Sequence, residues 1–555
     1  MDQAVRSKRK KLTYSEKLVR FRARLRDPEW RRYGGLLLTG KAVGIGLVLL
    51  LMVGVPALMR VAPSVVVGTV HAQDSGAPAG EAAAAPAAEA APASAAPAPD
   101  VKMTDTVNAV NTAWTLVAAF LVFGMQVGFT MLEAGFCRSR ETVNVLMECV
   151  VDTCLCGILF YAWGFAFMFS HGNGLIGTHW FFLQDAPATY EATGVAFLAV
   201  WIFQFAFADT CSTITSGAMI GRTGFVGDLL YSVGVSGFIY PIIGHWAWGP
   251  DGFLATMGSD GNFLPSIGTG FHDFAGSTVV HTIGGFIALA GSIVLGPRLG
   301  RKFKRDGGGP MLPHDLTIAI SGGLILWFGW YGFNPGSTLS AIDAEGIGRV
   351  AANTTLAACA GGLFAMLAAY IPSKKWDASF TTNGFLAGLV AITCPCYWVS
   401  PTGAIILGAV AGVLVYLGVE LLEYLRIDDP IGAVPVHGFC GIWGTLSLGL
   451  FACGKYGATG PTGADNSAPL AGLFYGGGMT VLIAQIIGSA IITTATFVSA
   501  MILMKVVNAT GTLRIDREGE LNGLDVTEHG IAAYPEYVIA GWATPPGAGS
   551  GSNEK

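Results

Sequence analysis

Asp273-Phe-Ala-Gly276-Ser-Thr-Val-Val280-His281, with Gly285 beyond it, returns later in the chain as Asp429-Pro-Ile-Gly432-Ala-Val-Pro-Val436-His437, with Gly441 beyond it. The aspartate, both glycines, the valine and the histidine match at a single offset. Each stretch opens an apolar, helix-length run, and each aspartate stands in the first turn, where a carboxylate suits the positive end of the helix dipole. Acids and imidazoles inside such runs are costly, so a matched pair points to function. Eight residues at 1.5 Å rise put each histidine about 12 Å along its helix.

Composition says what these helices sit in. Of 555 residues, 52% are apolar, 12% are charged and 77 are glycine, and mean hydropathy is +0.55. An ordinary soluble domain carries about twice that charged fraction. Continuous apolar runs such as 384–393 and 404–422 exclude a porin-type barrel, whose strands alternate polar and apolar. The expected fold class is therefore an all-α polytopic membrane protein. The 10 cysteines show no spacing of a zinc or disulfide framework, and Cys394-Pro-Cys396 reads as packing at a helix end. No metal and no cofactor is expected.

Residues 1–72 hold 14 Lys/Arg against 4 Asp/Glu, which leaves the remainder net acidic and argues against a nucleic-acid partner. Residues 1–33 are basic, 42–59 are apolar, and Val70-His-Ala72 forms a small-x-small cleavage site. That layout reads as a signal peptide over 1–72, with an uncleaved N-terminal anchor as the alternative. Residues 73–105, rich in Ala and Pro, read as a disordered extracytoplasmic spacer. Either reading delivers the next segment outside.

Apolar windows then predict eleven crossings within a domain over 106–506, near 112–134, 143–169, 195–220, 227–248, 274–296, 315–335, 346–370, 380–394, 402–424, 433–452 and 475–506. Starting outside, they leave a tail, 507–555, in the cytoplasm. The positive-inside rule agrees. Arg138, Arg140, Arg222, Arg298, Arg301, Lys302, Lys304, Arg305, Lys374, Lys375 and Arg426 fall in inside loops, while 170–194, 249–272 and 395–401 hold no Lys or Arg. Arg349 and Lys455 are the outside exceptions. The two motif helices then start from opposite faces, so helices 1–5 and 6–10 form an inverted 5+5 repeat plus a final helix. Across a core about 30 Å thick the two imidazoles meet near the midplane.

Two neutral imidazoles share a proton and still offer acceptors to a small donor. Bis-His haem ligation is the rival chemistry. It needs a wide cavity, whereas Gly284, Gly285 and Gly441 suggest close backbone approach and a narrow pore.

At this point the chain resembles the ammonium transporter (Amt) family, of bacterial type, related to the Rh proteins. The resemblance runs from about Trp114 to Tyr534. It is carried by Met131-Leu-Glu-Ala-Gly-Phe-Cys-Arg138, the Asp273–His281 motif, Gly329-Trp-Tyr-Gly-Phe-Asn-Pro-Gly-Ser337, and Asp428-Asp-Pro430 with Val436-His-Gly-Phe-Cys-Gly441. It implies that His281 and His437 are the family's twin pore histidines, with Trp330 flanking the pore. Phe207, Trp248 and Ser337 would recruit ammonium at the outer mouth, and Phe207 and Phe333 would form the gate beneath. Asp273 matches the family's aspartate near that site, and its own position favours a helix-capping role; Asp429 is its repeat partner.

The residue types suit this reading. Aromatic faces attract a cation by about 0.5–2 kcal/mol each, and a serine hydroxyl supplies an acceptor. A phenylalanine constriction replaces none of an ion's water, whereas ammonium that loses its proton becomes a small neutral molecule. Net flux of NH3, of NH4+ and of NH3 with H+ are all compatible with these residues.

The resemblance further implies ammonium or methylammonium as substrate, a homotrimer, and a PII-type partner at the tail, where Gly523-Leu-Asp-Val-Thr-Glu-His-Gly530 matches the family. The expected location is the bacterial inner membrane, with the mature N-terminus outside. A transporter, not an enzyme, is the expected class; an ammonium sensor signalling through its tail is the alternative.

Overall fold

Runs of Ala, Leu, Ile, Val and Phe too long for any loop can satisfy their backbone in lipid only as helices, and the chain obeys. The computed structural model describes residues 102–190, 193–257, 262, 264–457 and 469–535. The expected leader, 1–72, lies outside the described residues, as does the spacer, 73–105, up to its last four positions. Those four already belong to the bundle, because the first helix begins at Met103, with Asp105 in its first turn.

Among the described residues ten helices are long and apolar enough to cross a membrane. They are α1 (Met103–Phe136), α2 (Thr142–Phe169), α3 (Phe197–Gly217), α4 (Phe225–Trp248), α5 (Ser277–Leu295), α6 (Leu316–Thr338), α7 (Ala344–Ser373), α9 (Pro401–Leu425), α10 (Val434–Phe451) and α11 (Thr480–Ala509). Between α7 and α9 lies a shorter apolar helix, α8 (Ala378–Thr393). Pro395 follows it and cannot continue a helix. There the Cys394 and Cys396 side chains are buried, and the Cys394 thiol donates to the His272 carbonyl at 3.4 Å.

Each expected window has its helix, with shifts at the ends. α1 starts nine residues before the expected 112 and turns once at Gly124. α2, α4, α5 and α10 each contain a π-helical turn, which apolar periodicity does not reveal: Phe160–Gly164, Val235–Ile239, Ser277–Thr282 and Val434–Phe439.

Small residues set the closest crossings. α7 packs on both α8 and α9, and a Cβ on Gly388, Gly408 or Gly412 would run into the backbone of Ala357 or Gly361 on α7. α1 packs along α6, and α5 along α11. Beyond α11, α12 (Arg517–Asn522) and α13 (Leu524–His529) fold back against one end of the bundle. Ile515 N–H donates to the Arg222 carbonyl at 3.1 Å, and Asp525 accepts from Asn144 N–H at 3.0 Å. This is the tail end of the bundle; α4 and α6 finish at the open end.

Candidate functional site

The repeated motif builds the same local device twice. The Asp273 carboxylate accepts from the N–H groups of Gly276, Thr278 and Val279 at 3.1, 2.9 and 2.8 Å. Asp429 does the same for Gly432, Ala433 and Val434 at 3.0, 3.1 and 2.8 Å. These are amides that a helix start leaves without intrahelical partners. Burial pushes the Asp429 carboxyl up to about 6, against the pull of those amides. The chain enters each helix through a left-handed glycine, Gly276 at φ 109° and Gly432 at φ 80°. The π-helical turns follow directly and carry His281 and His437.

The two histidines meet, Nδ1 to Nδ1 at 3.2 Å. Their helices approach through glycine, as the sequence suggested. A Cβ on Gly285 would collide with the Gly438 backbone, one on Gly441 would lie 2.5 Å from the Ser277 carbonyl, and one on Gly284 would lie 2.9 Å from Ile214. No haem-sized gap separates these helices. His281 Nε2 is buried and has no hydrogen-bond partner.

Toward the open end an aromatic column stands on that ring. His281 lies 5.1 Å from Trp330 and 5.4 Å from Phe333, ring centre to ring centre. Phe333 stacks on Phe207 at 4.0 Å and 25°, and both are fully buried. Phe207 meets Trp248 edge-on at 6.1 Å. Polar anchors hold the column: Trp330 Nε1 donates to Thr393 Oγ1 at 2.9 Å, and Trp248 Nε1 to the Asp273 carbonyl at 2.7 Å. Above the stack opens a cavity of about 460 Å³ whose wall includes Phe207, Trp248 and Ser337. The Ser337 hydroxyl donates to the Phe333 carbonyl at 2.8 Å, which leaves its lone pairs as acceptors.

All nine residues singled out in the sequence therefore lie in this column or at its two helix entrances. Sequence reasoning missed Phe203, Gln204, Tyr190 and Phe274, which also line the cavity. Aromatics at helical spacing carried no mark to separate them from core packing. It also missed the buried acids Glu133, Glu148, Asp152, Asp209 and Asp228, although acids in apolar runs were a visible signal.

At the tail end, below His437, a second cavity of about 180 Å³ is lined by Arg298, Arg301, Asp428, Asp429 and Pro435 among others. Burial alone would push the Asp428 carboxyl up. The Arg298 guanidinium outweighs it with bonds of 2.8 and 3.0 Å, and the carboxyl is held well below the usual carboxylate range.

Residues 113–534 match the family model described as Ammonium Transporter Family. The chain is 43% identical over 433 residues to ammonium transporter Amt2 of Archaeoglobus fulgidus, covering 77% of this chain and 89% of that protein. It is 40% identical over 448 residues to ammonium transporter 1 member 1 of Arabidopsis thaliana, covering 78% and 87%. Among solved structures, one described as a sensor Amt protein superposes with TM-score 0.66 at 34% identity, covering 77% of this chain and all of the other. Mep2 of Candida albicans superposes with TM-score 0.67 at 26% identity, covering 79% and 94%.

Proposed function

Because this chain belongs to the ammonium transporter family, we propose that it gathers NH4+ at Trp248, Phe207 and Ser337, strips one proton, and conducts NH3 past Phe207 and Phe333 along His281 and His437. The observation that carries this reading is the orphaned His281 Nε2. It lies directly beneath the stacked phenylalanines, where an ammonia molecule leaving the gate needs a polar partner.

Each step follows from the residues. Trp248 and Phe207 offer π-faces to a cation whose four N–H groups also seek acceptors, and Ser337 supplies one. The phenylalanine stack refuses a hydrated ion. Potassium, with no proton to surrender, stays above it. Beneath, the imidazole pair hands the neutral molecule on, and Trp330 holds His281 in place by stacking. Asp273 and Asp429 position the helices that carry the histidines.

In this reading α1–α5 and α6–α10 are the two halves of an inverted 5+5 repeat, with α11 outside it. The open end faces outward across a bacterial inner membrane, and the tail, 507–555, lies in the cytoplasm. Residues 1–72 are the leader and the spacer follows from 73, while the transport domain opens with α1 at Met103 and runs to 506. The assembly is a homotrimer, with the tail end available to a PII-type protein. Sensing through the tail is the second reading; the 34% identical sensor Amt structure and the tail's bonds to Asn144 favour it.

The test is current and uptake in proteoliposomes after an ammonium pulse. His281→Asp and Trp248→Leu are each expected to lower uptake by about tenfold or more. Wild-type behaviour in both variants would refute the site, and a silent wild type would favour the sensor.

A further inference from the structure

One turn before Trp248, at the open end of α4, stands a third buried histidine. His245 is fully enclosed. Its Nδ1 lies 2.9 Å from the Met168 carbonyl of α2, and its Nε2 lies 2.9 Å from the Asn173 carbonyl. An Asp251 carboxylate oxygen stands beside the same nitrogen, 3.2 Å from Nε2. A carbonyl oxygen only accepts, so both ring nitrogens have to donate, and an imidazole donates twice only when it carries two protons. The contacts therefore call for a cationic ring with Asp251 as its counter-charge.

Asn173 belongs to a small antiparallel hairpin, β1 (Gly172–Asn173) and β2 (Ile176–Gly177). The hairpin is tied to the end of α4 and to the loop beyond it. Trp246 Nε1 donates to the Leu175 carbonyl at 3.0 Å, Phe253 N–H to the Gly174 carbonyl at 3.0 Å, and Gly172 N–H to the second Asp251 oxygen at 2.8 Å. After α4 the chain doubles back on the histidine. Gly249 N–H donates to the His245 carbonyl at 2.8 Å, and a Cβ on Gly249 would collide with the His245 ring. Leu254 and Ala255 both donate to the Trp246 carbonyl, at 2.8 and 3.0 Å. Trp248, Gly249 and Pro250, on this turn, form part of the wall of the outer cavity. One ring thus joins the end of α2, the hairpin and the turn that presents Trp248.

We propose that His245 is a positioning residue for the recruitment site, a proton-dependent clamp that holds Trp248 within reach of the incoming cation. It rests on the transport reading above. With two protons the ring binds α2 and the hairpin together. When outside pH rises and one proton leaves, one nitrogen turns a lone pair toward a carbonyl, that bond is lost, and the turn bearing Trp248 loosens. Histidine is the side chain whose ordinary titration spans the range about neutrality. Other titratable groups surround this end. Asp273, across Trp248, accepts from three amides, and the Tyr190 hydroxyl donates to the Phe169 carbonyl at 3.4 Å. His179 Nδ1 lies 2.6 Å from the His171 carbonyl, and His171 itself lines the cavity.

The test is uptake of labelled methylammonium, which stays cationic near neutral pH, by the full chain in proteoliposomes with the inside pH fixed. Raising the outside from about pH 6 to about pH 8 is expected to raise KM by about fivefold while the maximal rate holds. His245→Gln, which can neither gain nor lose the proton, should show the raised KM at both pH values. Asp251→Asn removes the counter-charge and should bring the rise in at lower pH. A His245→Gln profile like the wild type's overturns the clamp, and so does a rise that His171→Gln abolishes and His245→Gln keeps. If His245→Gln does not fold, Asp251→Asn decides alone, and a profile it leaves unmoved overturns the clamp. A wild type that takes up no methylammonium sinks the transport reading and the clamp together, whereas uptake with a KM flat across this range sinks the clamp only.

Discussion

Gly276 and Gly432 stand three residues after Asp273 and Asp429 and hold φ angles of 109° and 80°. Left-handed backbone costs a residue with a Cβ roughly 1–2 kcal/mol, so alanine at either position should destabilise the chain by about that much. Their surroundings then separate the two. A Cβ on Gly276 would lie 3.1 Å from the Trp248 ring and 2.6 Å from Val280, whereas one on Gly432 would meet the Asn383 amide at 2.7 Å. Gly276→Ala is therefore expected to lower both the melting temperature and ammonium uptake at limiting concentration, by displacing Trp248. Gly432→Ala should lower the melting temperature alone. Thermal melts in detergent paired with uptake assays check this; a Gly276→Ala protein with unchanged melting and unchanged uptake would contradict the strained entrance.

The crossing of α5 and α10 turns these entrances into a histidine pair. Gly285 has no room for a Cβ, because the Gly438 backbone occupies the space, while a Cβ on Gly438 would find Phe286 at an ordinary 3.4 Å. Gly285→Ala should push the helices apart and lengthen the 3.2 Å histidine contact, at a cost of about 1–3 kcal/mol for overpacking and with loss of transport. Gly438→Ala should leave both stability and transport near wild type. Equal effects of the two substitutions would show that the crossing is not limited by Gly285. The crossing illustrates what the sequence makes legible. Asp273, Gly276, His281 and Gly285 repeat as Asp429, Gly432, His437 and Gly441, and a repeat exposes its chemistry without any fold knowledge. The helices themselves are legible because lipid forbids other backbone states. The π-helical turns at Ser277–Thr282 and Val434–Phe439 are not, since they depend on which carbonyl each N–H selects, and the apolar pattern is the same for either choice. Phe203 and Phe274 stayed hidden for a related reason: a phenylalanine beside a cavity and one in the core occupy identical sequence environments.

At the scale of the molecule, charge gathers where the tail docks. Arg222 is fully buried and donates to the Asp428 carbonyl at 2.6 Å, Arg298 holds the Asp428 carboxylate, and Arg514 ties the Leu295 carbonyl at 2.6 Å to Glu520 at 2.8 Å. Burial pulls the Arg222 guanidinium down to about 10, which leaves it charged at neutral pH. Two neighbouring acids at this end titrate in opposite senses. Asp428 sits below the unfolded value of about 3.9. The folded chain therefore binds fewer protons there, and its stabilising contribution is present above about pH 4 and lost as the pH falls further. Asp429, held up at about 6, binds more protons folded than unfolded between about pH 4 and pH 6, so stability declines as the pH rises through that window. Melting temperatures measured across pH 3 to 8 should accordingly show Asp429→Asn removing the decline between pH 4 and 6. Asp428→Asn should be less stable than wild type at neutral pH, because it leaves the Arg298 charge buried and unpaired, and the gap should narrow as the pH falls below about 4. An Asp428→Asn chain as stable as wild type at pH 7 would mean that the tail end is held by packing and backbone contacts rather than by this ion pair.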